Sequence, residues 1–254
     1  MKLRERWYSH RLQEDVTMVR WGTFGTPVLL FPTAGGDAEE VERFHMLDVL
    51  APLVNAGRIK VYSADSVAGR VWLGGESSHR HNSWILNRFH EYIYHEVVPA
   101  IRHDCQTPDI EVIAAGASIG AFHAVAMVCR YPDAFKTAIG MSGTYNLEKF
   151  EEHEKNLDFY YASPHLFIPQ LNGDSIEAVK KRFIVLASGQ GRAEDIGESW
   201  RMAGTLGARG IPNRVDNWGP EWPHDWPTWL CFCRCLPAAP AASRWPATSP
   251  AVSG

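Results

Sequence analysis

The sequence predicts an α/β protein, doubly wound around a mostly parallel sheet that is entered through antiparallel N-terminal strands. Three observations carry this expectation. The runs PVLLFP (27–32), EVIAAG (111–116) and RFIVLASG (182–189) are short and continuously apolar, as strands of a parallel sheet covered on both faces must be. Stretches of helical periodicity separate these runs, so strands and helices alternate along the chain. Residues 6 to 21, RWYSHRLQEDVTMVRW, instead alternate loosely, which fits one or two antiparallel strands at the start.

After the turn GTFGTP comes the first core strand at 27–32. Asp37 can cap a helix running to about Asn55, with Gly57 as its stop, and RIKVYSADS (58–66) is the next strand. VAGRVWLGGESSHR reads as a loop, leading into a long amphipathic helix from about Asn82 to His103 with Ile85, Phe89, Ile93 and Val97 on its apolar face. The strand at 111–116 passes into SIGAFHAVAMVCRYP, a buried helix closed by Pro132. FKTAIGMSG is a strand, 145–175 a polar and aromatic segment, SIEAVKKR a helix and RFIVLASG a strand. ESWRMAGTLGARG is a helix closed by Gly210, and NRVDNWG (213–219) is the last strand. From Leu230 the chain turns to LCFCRCLPAAPAASRWPATSPAVSG, rich in Pro, Ala and Ser without a period. Proline lacks the backbone donor and clashes with the preceding turn, so no C-terminal helix is expected there. Residues 1–236 should form a single domain and 237–254 a disordered tail.

Composition bounds the function. At 254 residues, 45% hydrophobic and 21% charged, one domain with a substantial core is the default. A net charge of -4 and a pI near 6.3, with no clustered basic excess, argue against nucleic acid as a partner. The N-terminus is charged from its second residue and has no apolar core of a secretory signal, and no apolar run approaches the roughly 20 residues of a membrane span. Five cysteines form no evident disulfide framework, which fits a reducing cytoplasm. No G-x-G-x-x-G occurs, and His79-x-His81 has no further ligands nearby, so neither a dinucleotide nor a metal is expected; no cofactor is called for. Nothing in the sequence speaks to oligomeric state.

The chemistry centres on EVIAAGASIGAFHAV, where Ser118 stands between Gly116 and Gly120. G-x-S-x-G placed between a strand and a helix is the setting of a nucleophile elbow, in which small neighbours let strand and helix pack close around an exposed serine. The helix that follows points backbone N–H groups at that serine. A serine needs a base, which in such a site follows an acid in the chain order Ser, Asp/Glu, His. His224, in the loop GPEWPHDWP after the last strand, is the expected base. His153 and His165 precede the acid's expected strand and are read as pocket or surface residues. The acid should lie in GQGRAEDIGES, where Glu194 and Asp195 both qualify and Glu198 already belongs to the next helix. The oxyanion donors should be the amide of Ile119 and that of Ala34 or Gly35 in the glycine-containing loop TAGGD.

With these residues in view, the chain resembles the α/β-hydrolase superfamily, and within it the esterase group that includes esterase D (S-formylglutathione hydrolase), feruloyl esterases and mycolyltransferases. The matching segments are FPTAGGD (31–37), HNSW (81–84), GASIGA (116–121) and HDWPTW (224–229), and the resemblance covers residues 7 to about 229. The family normally finishes with a helix after the histidine, and LCFCRCLPAAP departs from that pattern. The resemblance implies hydrolysis of carboxylic esters through an acyl-enzyme: Ser118 attacks, His224 carries the proton, Glu194 or Asp195 orients the imidazolium, and no cofactor takes part. An acyltransferase on the same triad and a non-catalytic binding protein are the alternatives, and a binding protein would be expected to lack a triad member. The partner implied is a small-molecule ester of small acyl or aryl type, in an open pocket lined by Trp72, Trp84 and Tyr145.

Overall fold

A computed structural model describes residues 1–74, 78–148 and 156–235, with no side chains considered at 72–74 or 234–235. Eight strands form one sheet: β1 (Lys2–Ser9), β2 (Glu14–Trp21), β3 (Thr26–Phe31), β4 (Ile59–Ala64), β5 (Val112–Ala117), β6 (Phe135–Met141), β7 (Phe183–Ser188) and β8 (Asn213–Asn217). Their order is β1-β2-β4-β3-β5-β6-β7-β8. β1 pairs antiparallel with β2 and β2 antiparallel with β4, while every later pairing is parallel. The chain therefore reverses its direction of winding between β3 and β5, and the loops leaving these two neighbouring strands meet at the carboxyl edge of the sheet, where ligands of such sheets bind.

Alternation along the strands divides the core into two layers. Leu29 and Phe31 face one side, with Tyr62, Ala114 and Leu186, while Val28 and Leu30 face the other with Val61, Ala115 and Ala187. The first layer is closed by α3 (Val67–Gly74), α4 (His79–Tyr92), a π-helical turn (Ile93–Val97), α5 (Val98–Asp104), α6 (Ile119–Arg130) and α10 (Ile196–Gly207). The second is closed by α1 (Glu40–Arg43), α2 (Met46–Asn55) and α11 (Trp226–Cys235). Among the described residues between β6 and β7 lie the short α7 (Leu157–Ala162), α8 (Pro164–Phe167), a 3-10 turn (Ile168–Gln170) and α9 (Gly173–Val179).

Three elements differ from the sequence expectation. Val67–Gly74, read as loop, is helical: Val67 and Ala68 are buried on the core, and tertiary packing outweighs a glycine-containing segment of poor propensity. The helix expected from Asp37 to Asn55 is broken at Phe44 and His45, the latter taking φ 65°. A C-terminal helix does form, in spite of the prolines. Pro227 occupies its first turn, where the missing N–H costs nothing, and the ten described residues suffice to bury Trp229 and Phe232. The expected disordered tail, 237–254, lies outside the described residues.

Facing each other across α4 and α6, His90 and His123 are fully buried, with His90 Nε2 3.0 Å from His123 Nδ1 and the rings of Phe31, Phe89 and Phe122 around them. Burial holds both imidazoles neutral: it drives His90 well below its ordinary 6.5, with the neighbouring His123 and Arg130 adding to the effect, and takes His123 down to about 3. Below pH 6.5 the unfolded histidines take up protons that the folded pair refuses, so this contribution to stability is complete above 6.5 and is lost as pH falls toward 3. Denaturant titrations should therefore show stability falling as the pH drops below 6.5. His123→Phe should shallow the slope.

Candidate active site

Ser118 connects β5 to α6 with φ 56° and ψ -120°, a conformation that costs an L residue of the order of 1–3 kcal/mol and persists only where its surroundings enforce it. Two glycines enforce it. A Cβ on Gly116 would lie 2.5 Å from the carbonyl of Gly120, and a Cβ on Gly120 would lie 2.5 Å from the carbonyl oxygen of Phe31 and 2.8 Å from that of Pro32. The absence of side chains thus lets α6 begin directly against the end of β3. The Ser118 amide donates to the Met141 carbonyl at 2.9 Å, fixing the turn to β6 as well. Gly120→Ala is expected to lower stability by about 2–3 kcal/mol, read as a melting temperature lower by several degrees, because its methyl group would meet backbone that cannot yield.

The same contact brings the loop after β3 to the amino end of α6. Glu40, 5% exposed, accepts from the Thr33 amide at 2.7 Å and from its hydroxyl at 2.6 Å. Asp65 accepts from the Ala38 amide at 3.0 Å. On the other side α3 presses in at Gly69, where a Cβ would lie 2.7 Å from the Ala34 carbonyl oxygen. Ala34 and Gly35 are held between these anchors, in the loop after β3, the strand that neighbours β5, with Ile119 opening α6.

The loops after β7 and β8 are laced together. Gln190 donates to the Gly219 carbonyl at 2.8 Å, Gly191 to that of Trp222 at 3.0 Å, and His224 to that of Arg192 at 3.0 Å. Gly189 and Gly191 permit this, since a Cβ on either would lie 2.1 or 2.7 Å from the Trp222 carbonyl oxygen. The lacing sets Glu194, 1% exposed at its side chain, with Oε2 3.5 Å from His224 Nδ1, a distance longer than a strong hydrogen bond. Ser142 donates to Glu194 Oε1, and Ser188 reaches Oε2 at 3.2 Å. Asp195 faces elsewhere: it accepts from the Gly197 amide at 2.9 Å as the cap of α10 and pairs with Arg201 at 3.0 Å. Glu198, in α10, accepts from the amides of Tyr145 and Asn146, both at 2.8 Å.

Of the expected pocket residues, Trp84 is partly buried on α4, its ring 5.7 Å from that of His81 and beneath the Arg88 guanidinium. Tyr145 is instead a core residue, fully buried over Gly140 and Gly143, where its bulk fills space those glycines leave open. The Trp72 side chain and His153 lie outside the described residues. His165 sits on α8, Nδ1 3.1 Å from the Thr205 hydroxyl. The sequence reading missed Glu40, Ser142 and Ser188. The one signal it offered was the serine-glycine pair closing β6. A cavity of about 640 Å³ lies at the opposite, amino edge of the sheet, beside Phe24, Lys60 and Asp104, and contains none of the residues above. Among the described residues no three His, Cys, Asp or Glu side chains gather to hold a metal ion, and no helix is long and apolar enough to cross a membrane.

A family model described as Putative esterase matches residues 54–230, more than half of the chain. The chain belongs to that family. This esterase is an ester hydrolase of the α/β-hydrolase superfamily, with that superfamily's fold. It superposes on a ferulic acid esterase with a TM-score of 0.68 at 15% identity, over 92% of this chain and 95% of the other. An S-formylglutathione hydrolase from Agrobacterium tumefaciens gives 0.65 at 12% identity, covering 92% of each chain. The enterobactin esterase of Shigella flexneri gives 0.62 at 17% identity, over 91% of the esterase and 56% of that longer chain. No curated protein sequence matches it.

Proposed function

We propose that the esterase hydrolyses small acyl or aryl carboxylic esters through an acyl-enzyme on Ser118. The observation that supports this reading most is the buried Glu194 carboxylate beside His224 Nδ1, at the sheet edge where the Ser118 elbow also ends. With Nδ1 directed at the acid, His224 Nε2 is left to take the Ser118 proton as Oγ attacks the ester carbonyl and then to return it to the departing alkoxide. The amides of Ile119 and of Ala34 or Gly35 hold the oxyanion. Water then repeats the sequence on the acyl-serine, releasing the acid. The connection between β6 and β7, residues 142–182, is short for a large cap, which favours an open pocket and small substrates, with Trp84 as an aromatic contact. No cofactor enters any step, and the cysteine pattern fits work in a reducing cytoplasm.

A series of p-nitrophenyl esters of rising chain length, run beside fluorophosphonate labelling mapped by mass spectrometry, tests the proposal. Turnover falling with chain length and a label on Ser118 are the expected outcomes. A label on another residue, or a preference for long acyl chains, would contradict it.

A further inference from the structure

Ser142 directly follows β6 with φ 48°, in the left-handed region that a serine enters only at a cost, although a glycine stands next in the chain. Its amide is tied to the Ala187 carbonyl at 2.7 Å, and the residue is 3% exposed. The hydroxyl accepts from Trp229 Nε1 at 2.9 Å and donates to Glu194 Oε1. An indole N–H can only donate and a hydroxyl has one hydrogen, so Trp229 directs that hydrogen at Glu194. The two carboxylate oxygens are thereby divided: Oε1 is taken by Ser142, and Oε2 is turned to His224 Nδ1 and Ser188. The Trp229 ring also stands edge-on to His224, with centroids 5.2 Å apart and planes at 89°.

We propose that Ser142, aimed by Trp229 from α11, is a positioning residue that locks the Glu194 carboxylate in the rotation that presents Oε2 to His224. The proposal rests on the reading of Glu194 and His224 as the acid and base of the reaction. A buried carboxylate deprived of one of its few donors would turn toward whatever donor remains, so fewer imidazoles would be held in the productive orientation. Binding of the ester would be untouched.

The test uses the full chain with a short p-nitrophenyl ester. Ser142→Gly removes the hydroxyl while suiting the left-handed backbone. Its kcat should fall about 10- to 100-fold with KM within about twofold, and its melting temperature should stay within about 2 °C. Trp229→Phe should lower kcat less, because the hydroxyl remains but is no longer aimed. In a Glu194→Gln background, Ser142→Gly should cost almost nothing more, since the two act as one unit. Wild-type kcat in Ser142→Gly alongside a crippled Glu194→Gln overturns the proposal alone. A loss that appears equally in both backgrounds, or in KM instead of kcat, overturns it as a merely structural effect. Full activity in Glu194→Gln overturns both this inference and the reading beneath it.

Discussion

Ser118→Ala is expected to lower kcat/KM for a short acyl ester by about four to six orders of magnitude, with the melting temperature essentially unchanged. The expectation follows from what the side chain does and does not touch. The turn is held by the amide of Ser118, by its carbonyl, which accepts from Ala121 at 3.1 Å, and by the close approaches of Gly116 and Gly120, none of which involves the hydroxyl. Alanine accepts the same positive φ at a similar cost, so the elbow should persist and only the nucleophile disappear. Some catalysis above the uncatalysed rate should survive, because the oxyanion donors and the binding surface remain. Circular dichroism and a thermal melt establish the fold, and progress curves at high enzyme concentration establish the residual rate. Activity within tenfold of wild type would remove Ser118 from its proposed role.

How much of this was legible in the sequence depends on whether the signal was local. The strands β3, β5 and β7 are buried on both faces, so their apolar runs announce them, and the small residues around Ser118 follow from the backbone contacts an elbow demands. The expected chain order of Ser118, the acid and His224 came from the arrangement that accompanies a nucleophile elbow. What escaped was set by contacts between distant segments. Nothing near Tyr145 says that it will fill the hollows over Gly140 and Gly143, and an aromatic residue in a polar segment reads as well for a pocket as for a core. The helix at Trp226–Cys235 was hidden because prolines were weighed by presence instead of position. The bend at His45 has no glycine or proline to mark it and coincides with the pull of Glu40 on Thr33. Ser142 and Trp229 lie 87 residues apart and meet only when α11 closes the second layer of the sheet.

Glu194 and Asp195 are adjacent, so the sequence left both open, yet their surroundings predict opposite outcomes for the same kind of substitution. Glu194→Gln keeps the shape of a side chain that is 1% exposed but removes the charge facing His224 Nδ1. The amide can present an N–H where an acceptor is needed and cannot stabilise the imidazolium that forms as Ser118 loses its proton, so kcat should fall by about three to four orders of magnitude. Asp195→Asn removes only an ion pair to Arg201 between side chains that are both more than half exposed, a contact worth well under about 1 kcal/mol after solvent screening. Asparagine caps a helix as well as aspartate, so the bond from the Gly197 amide should survive. Activity in Asp195→Asn should therefore lie within about twofold of wild type and the melting temperature within about 2 °C. Steady-state kinetics on the two variants, purified side by side, decide the matter: equally small losses in both would mean that His224 takes its orientation from another group, and a large loss confined to Asp195→Asn would reverse the assignment.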